Sequence, residues 1–163
     1  MSLSFRVAKP EDLRYLITWF SDPGVEKWFP MSNKLEVEDA ARICLSYAPI
    51  GAAIIALWNG EPCGLANIYV QSYKKLAHQA LFAIIVAPDK RGRGIGTFLI
   101  KELIRIAKEQ LKIELLHLEV YEGNPAKSLY DKLGFEVCGF QKHFLKEGNG
   151  YRGKYFMQKD LRV

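Results

Sequence analysis

The spacing of apolar residues changes period several times along this chain, and each change marks an element. Alternation over residues 3–8 predicts a first strand. Leu13, Leu16, Ile17 and Phe20 then fall at helical spacing behind Pro10-Glu11-Asp12, whose proline and acids suit a helix start. Asp22-Pro23-Gly24 predicts the end of that helix, residues 25–29 a short apolar segment closed by Pro30, and residues 36–47 a second helix. The apolar run 50–58 ends in Asn59-Gly60, the strongest hairpin signal in the chain, and so predicts antiparallel pairing with residues 63–70. Residues 80–86 are apolar on both faces, as suits a central strand covered by helices on each side.

Leu99, Leu103 and Ile106 give the stripe of a helix over 94–111. Residues 115–121 alternate, with Leu116, Leu118 and Val120 on one face and His117, Glu119 and Tyr121 on the other. A helix over 125–133 follows, and the tail reads as two strands, 135–145 and 154–157, joined around Gly148-Asn149-Gly150. The order β-α-α-β-β-β-α-β-α-β-β predicts a mixed sheet with helices on both faces.

Composition narrows the functional classes. At 163 residues, 49% hydrophobic and 25% charged, the chain is expected to form one globular domain across residues 1–163, without repeat, linker or low-complexity tract. The N-terminus lacks the apolar core of a signal peptide and no run reaches the ~18 residues of a membrane span, so a cytoplasmic protein without a membrane partner is expected. Cys44, Cys63 and Cys138 are widely separated and lack metal-ligand spacing; they are expected to be reduced, mostly buried thiols, with no metal site. The net charge of +5 could attract nucleic acid or a phosphate-rich cofactor. Its scatter along the chain favours a solvated surface over a nucleic-acid-binding module. A homodimer is left open.

The most specific stretch is Val86-Ala87-Pro88-Asp89-Lys90-Arg91-Gly92-Arg93-Gly94-Ile95-Gly96-Thr97. It places a glycine loop between a strand and a helix, and the first turn of a helix attracts anions through its unpartnered N–H groups. Glycines at 92, 94 and 96 let a diphosphate approach those groups, and Arg91 and Arg93 add positive charge. The spacing G-x-G-x-G is neither a Rossmann fingerprint nor a P-loop, which weakens both nucleotide readings.

The stretch resembles the acetyl-CoA pyrophosphate motif of the GNAT superfamily of N-acetyltransferases, with Arg91, Gly94 and Gly96 at its defining positions. A second resemblance lies in Asn124-Pro125-Ala126-Lys127-Ser128-Leu129-Tyr130-Asp131-Lys132-Leu133-Gly134-Phe135, where Asn124 stands six residues before Tyr130 and the commoner family spacing is seven. Leu118-Glu119-Val120 and the segment from Trp19 to Val25 are similar to the subgroup that acetylates ribosomal-protein N-termini and small amines. The resemblance covers essentially the whole chain. It implies an α/β (α+β) GNAT fold, a mostly antiparallel sheet with a splayed pair of parallel strands, and acetyl-CoA as co-substrate. It further implies that Gly92, Arg93, Gly94, Ile95, Gly96 and Thr97 take the pyrophosphate beside Arg91, that backbone groups of Ile84, Ile85 and Val86 hold the pantetheine, and that Asn124 and Tyr130 border the cofactor.

Acetyl transfer to a primary amine, on a small molecule or a peptide, needs a base because an alkylammonium with a pKa near ~10 cannot attack. Glu119 is the candidate through the resemblance, or else a surface or salt-bridged carboxylate, with Glu122 or a water relay as alternative bases. Tyr130 suits the proton donor to the departing thiolate, or else a core ring. His78, His117 and His143 form no cluster and receive no role. Trp19, Phe20, Trp28, Phe29 and Tyr47 either line an aromatic acceptor site or fill the core. A catalytically silent acetyl-CoA-binding scaffold remains the alternative to an enzyme.

Overall fold

The computed structural model describes residues 2–163. Twelve helices and strands follow in the order β1 (Leu3–Val7), α1 (Leu13–Phe20), α2 (Pro23–Glu26), α3 (Lys34–Leu45), β2 (Ala53–Trp58), β3 (Glu61–Tyr69), β4 (Gln79–Val86), α4 (Ile95–Glu109), β5 (Leu115–Tyr121), α5 (Ala126–Lys132), β6 (Glu136–Glu147) and β7 (Gly150–Asp160). The seven strands form one sheet in the order β1-β2-β3-β4-β5-β7-β6. Every neighbouring pair is antiparallel except β4 and β5.

Each side of the sheet carries its own core. Leu99, Leu103 and Ile106 of α4 pack on Ile54, Ala66, Ile68, Leu116 and Met157, and α5 adds Tyr130 to that side. On the opposite side, Leu16 and Phe20 of α1 and Val37 and Ala41 of α3 cover Ile55, Leu65 and Ile85. The two-faced apolar pattern of residues 80–86 is thus explained by helices on both sides. Full burial of each leucine in the α4 stripe contributes about 1.5–3 kcal/mol.

Polar groups fix the corners. Arg6 donates to both oxygens of the buried Asp12 carboxylate, at 2.8 and 2.9 Å, and so ties β1 to the turn before α1. Burial alone would raise the Asp12 carboxyl, but the hydrogen bonds from Arg6 and from the Lys9 N–H overcome it and hold the group below its usual value. Asn59 and Gly60 both adopt positive φ, 50° and 86°, the turn that closes β2 on β3.

Two elements differ from the sequence expectation. Asp22-Pro23-Gly24 does not simply end α1; Asp22 accepts a hydrogen bond from the Gly24 N–H at 2.8 Å and starts the single turn α2, with proline at its first position. The last hairpin is longer than its apolar residues suggest, because pairing continues to Glu147 opposite Gly150 through two register shifts in β6. Elsewhere the helix ends shift by one or two residues, as at α3, where the Asn33 side chain caps the Glu36 N–H and moves the start to Lys34. Cys44 and Cys63 are buried, whereas Cys138 is exposed, which corrects its expected burial: it lies on the outer edge strand β6.

Candidate active site

The parallel pair β4 and β5 stays together for only three residue pairs, ending at Leu81 opposite His117. Beyond that point residues 82–86 and 118–121 diverge, and the side of β4 that faces β5 has no strand partner for its N–H and C=O groups. Phe82 stands where pairing stops, and with Tyr130 and Phe135 it makes a three-ring cluster with centroids 5.5 to 6.2 Å apart. A cavity of about 610 Å³ occupies the gap. That is the size of small-molecule and cofactor sites.

One end of the cavity combines unpartnered N–H groups with basic side chains. Gly94, at φ +80°, is the residue before α4; no side chain caps the helix, and the N–H groups of Ile95, Gly96 and Thr97 bond to no described residue. A Cβ at Gly94 would meet nothing within 4 Å, so the space in front of these donors is open. Arg91, Gly92, Gly94, Ile95, Gly96 and Thr97 all line the cavity, as do Ile84, Ile85 and Val86, and Lys90 adds a second cation. Arg93 does not line it. Its guanidinium lies 5.2 Å from the Trp58 ring centroid, on the outer side of the loop.

Tyr130 enters the cavity from α5, packed among Phe82 and Phe135 and only 8% exposed. Burial pushes its hydroxyl well above the ordinary phenol value, so it stays protonated across the neutral range. Asn124 also lines the cavity, but its side-chain oxygen is engaged, accepting the Ala126 N–H at 2.9 Å where α5 begins. Glu119 reaches the gap from the opposite face of β5 and pairs with Lys154 of β7. The Lys154 side chain is 9% exposed and the Glu119 side chain 34%, with the ammonium 3.5 Å above the Phe144 ring centroid. Glu122 does not line the cavity; its carboxylate accepts the Gly153 N–H of β7 at 3.2 Å.

Comparison with known proteins adds the family. The profile of the Acetyltransferase (GNAT) family matches residues 13–135, most of the chain. The chain belongs to the GNAT family. A curated relative, the L-amino acid N-acetyltransferase AaaT of Escherichia coli, is 30% identical over 107 residues, 65% of this chain and 66% of that protein. A second relative, the ribosomal protein bS18-alanine N-acetyltransferase of Haemophilus influenzae, is 36% identical over 77 residues, so that the match spans about two-thirds of the first relative's length and about half of the second's. Among solved structures, a ribosomal-protein-alanine N-acetyltransferase from Brucella melitensis is 28% identical with a TM-score of 0.81, covering 96% of this chain and 99% of that one. The Salmonella typhimurium protein yncA, solved with acetyl-CoA, shares the GNAT fold at a TM-score of 0.83 and 17% identity, over 99% of this chain and 95% of its own.

The cavity is also lined by residues that sequence reasoning missed. Trp28 and Phe29 line the cavity as one of the two expectations had it, but Trp19, Phe20 and Tyr47 do not; Trp19 and Phe20 are core residues and Tyr47 meets the Tyr69 ring edge-on at 5.4 Å. Tyr69, Tyr121, Phe144 and Lys154 were not anticipated. For Lys154 a signal existed: Lys154 and Phe156 share one face of a strand whose neighbours Tyr155 and Met157 are apolar, and a lysine there must be covered or paired. No cysteine lines the cavity, and burial pushes the Cys44 and Cys63 thiols up to about 11.

Proposed function

We propose that this GNAT chain is an acetyl-CoA-dependent N-acetyltransferase that passes the acetyl group directly to a primary amine. The observation that carries the reading is the gap between β4 and β5, which opens at one end onto the uncapped start of α4 and at the other onto Glu119. The donors at Ile95, Gly96 and Thr97, with Arg91, suit the diphosphate. The unpaired edge of residues 82–86 suits an extended pantetheine, as another strand would, and its N–H groups suit the oxyanion that develops on the thioester carbonyl.

Glu119 takes the proton from the bound ammonium, directly or through water, and the freed nitrogen attacks the thioester carbon. A C–N bond forms, the C–S bond breaks, and Tyr130 supplies the proton that leaves CoA as the thiol. Direct transfer is supported by the absence of cysteine from the cavity lining and by the raised Cys44 and Cys63 thiols, which are poor nucleophiles. The acceptors of the relatives, an L-amino acid in one and a ribosomal-protein alanine in another, support small-molecule or peptide amines as the class.

The test is CoA-thiol release from acetyl-CoA with amino acids, peptides, amino sugars and polyamines in parallel. Turnover with at least one acceptor is expected. Binding of CoA without turnover on any of them would leave a silent acetyl-CoA-binding scaffold.

A further inference from the structure

Glu119 and Lys154 are the feature of the cavity that the acetyl-transfer reading uses only in half. Glu119 is the only carboxylate among the described cavity-lining residues, and Lys154 the only cation there apart from Lys90 and Arg91 at the α4 end. Around this pair the wall is aromatic: Trp28, Phe29, Tyr69, Tyr121 and Phe144. The Lys154 ammonium lies against two aromatic faces, 3.5 Å from the centroid of Phe144 on this wall and 5.2 Å from that of Phe156 beside it.

An acceptor must bring its ammonium to Glu119, and in doing so it competes with Lys154 for the single carboxylate. A simple amine would leave Lys154 buried without an anion, and breaking one half of a buried pair is strongly unfavourable. A polyamine is served worse, since it adds cations to a site with one anion. An α-amino acid carries its own replacement, because its carboxylate can take Lys154 while its ammonium takes Glu119. The two protein charges are in direct contact, and the ammonium and carboxylate of an α-amino acid are bonded to the same carbon, so the exchange needs little rearrangement.

We propose that the acceptor is a free α-amino acid with an apolar, preferably aromatic, side chain, held by Lys154 through its carboxylate and by Glu119 through its ammonium. This rests on the acetyl-transfer reading and deepens it. The exchange also frees Glu119 from Lys154 at the moment an ammonium arrives beside it, so that binding the zwitterion prepares the base. The product is the N-acetyl amino acid, with the acetyl carbon moved from sulfur to nitrogen and the displaced proton ending on the CoA thiol. The aromatic wall then takes the side chain.

Three acceptors with one ring system separate the possibilities: phenylalanine, phenylalaninamide and phenethylamine, compared as kcat/KM corrected to the free-amine fraction. Phenylalanine is expected to exceed phenethylamine by about 10²-fold or more, with phenylalaninamide between them, because its neutral carbonyl can accept from Lys154 but not neutralise it. In Lys154→Met the ratio should fall to within about tenfold while CoA still raises the melting temperature; Lys154→Arg should keep the preference. Equal or better rates with phenethylamine or spermidine, or an unchanged ratio in Lys154→Met, would overturn the proposal and leave acetyl transfer standing. CoA binding without turnover on phenylalanine overturns it too. If CoA produces no thermal shift, the acetyl-transfer reading fails and takes this proposal with it.

Discussion

Tyr130 and Glu119 lie on opposite faces of the splayed strands, and the proposed reaction asks opposite proton transfers of them. Tyr130 is a buried phenol whose hydroxyl bonds to no described residue and whose titration burial pushes upward, so it stays a proton donor through neutral pH. Tyr130→Phe keeps the ring contacts with Phe82 and Phe135 and removes only that proton; kcat should fall by about 10²-fold with CoA affinity unchanged, read by steady-state kinetics beside a CoA titration. Glu119→Gln removes the base and also leaves Lys154 without its anion. Its kcat/KM should fall most at low pH and recover as pH rises and the acceptor deprotonates in solution. A full-rate variant with the wild-type profile would move the base to water. At this scale the sequence exposed Glu119 and Tyr130 through the motifs around them, but not Lys154. A lysine is almost always solvated, and what makes this one different is that Phe144 and Phe156 cover it.

At the scale of the element, the proposed cofactor site rests on α4 and the loop before it, which line one end of the cavity. Gly96 sits in the first turn, and a Cβ there would come within 3.3 Å of Leu129 Cδ2 and 3.9 Å of Val86 Cγ2, all on the cavity wall. Gly96→Val should therefore fold, since the Leu129 side chain can give way and valine is no worse a helix former than glycine, while its methyls narrow the path to the α4 donors. Loss of CoA binding by at least about tenfold, with an unchanged circular dichroism spectrum, is expected; normal binding would mean that the ligand does not pass there. Gly94 is a harsher site, because its positive φ strains any L-residue. The glycine spacing told of this element in advance. The single turn α2 was hidden because Asp-Pro-Gly serves equally as the end of one helix and the start of another.

Across the whole molecule, the cavity lies between two halves of the sheet whose strands pair through only three residue pairs of β4 and β5, and which share the core under α4. A ligand bridging β4, α4, β5 and α5 binds only when both halves are folded and docked, and so should raise the global melting temperature. At a CoA concentration near 100 times Kd the gain is about 2.7 kcal/mol, which for a chain of this size is about 5–11 °C. Differential scanning calorimetry with CoA checks this, and a fragment without the diphosphate should give a smaller rise because it forgoes the α4 donors.

The sequence by itself determined the order of the strands and of the longer helices, the two-sided burial of β4 and the glycine-led start of α4. These follow from local properties: apolar period, turn chemistry at Asn59-Gly60, and glycines where a Cβ would obstruct. Only the tertiary structure decided where β4 leaves β5, that Arg93 turns outward onto Trp58 while Arg91 lines the cavity, and that Glu119 meets Lys154 from a strand 35 residues away. Those outcomes depend on which side chains fill a shared space once the sheet has closed, and no window of sequence contains both partners.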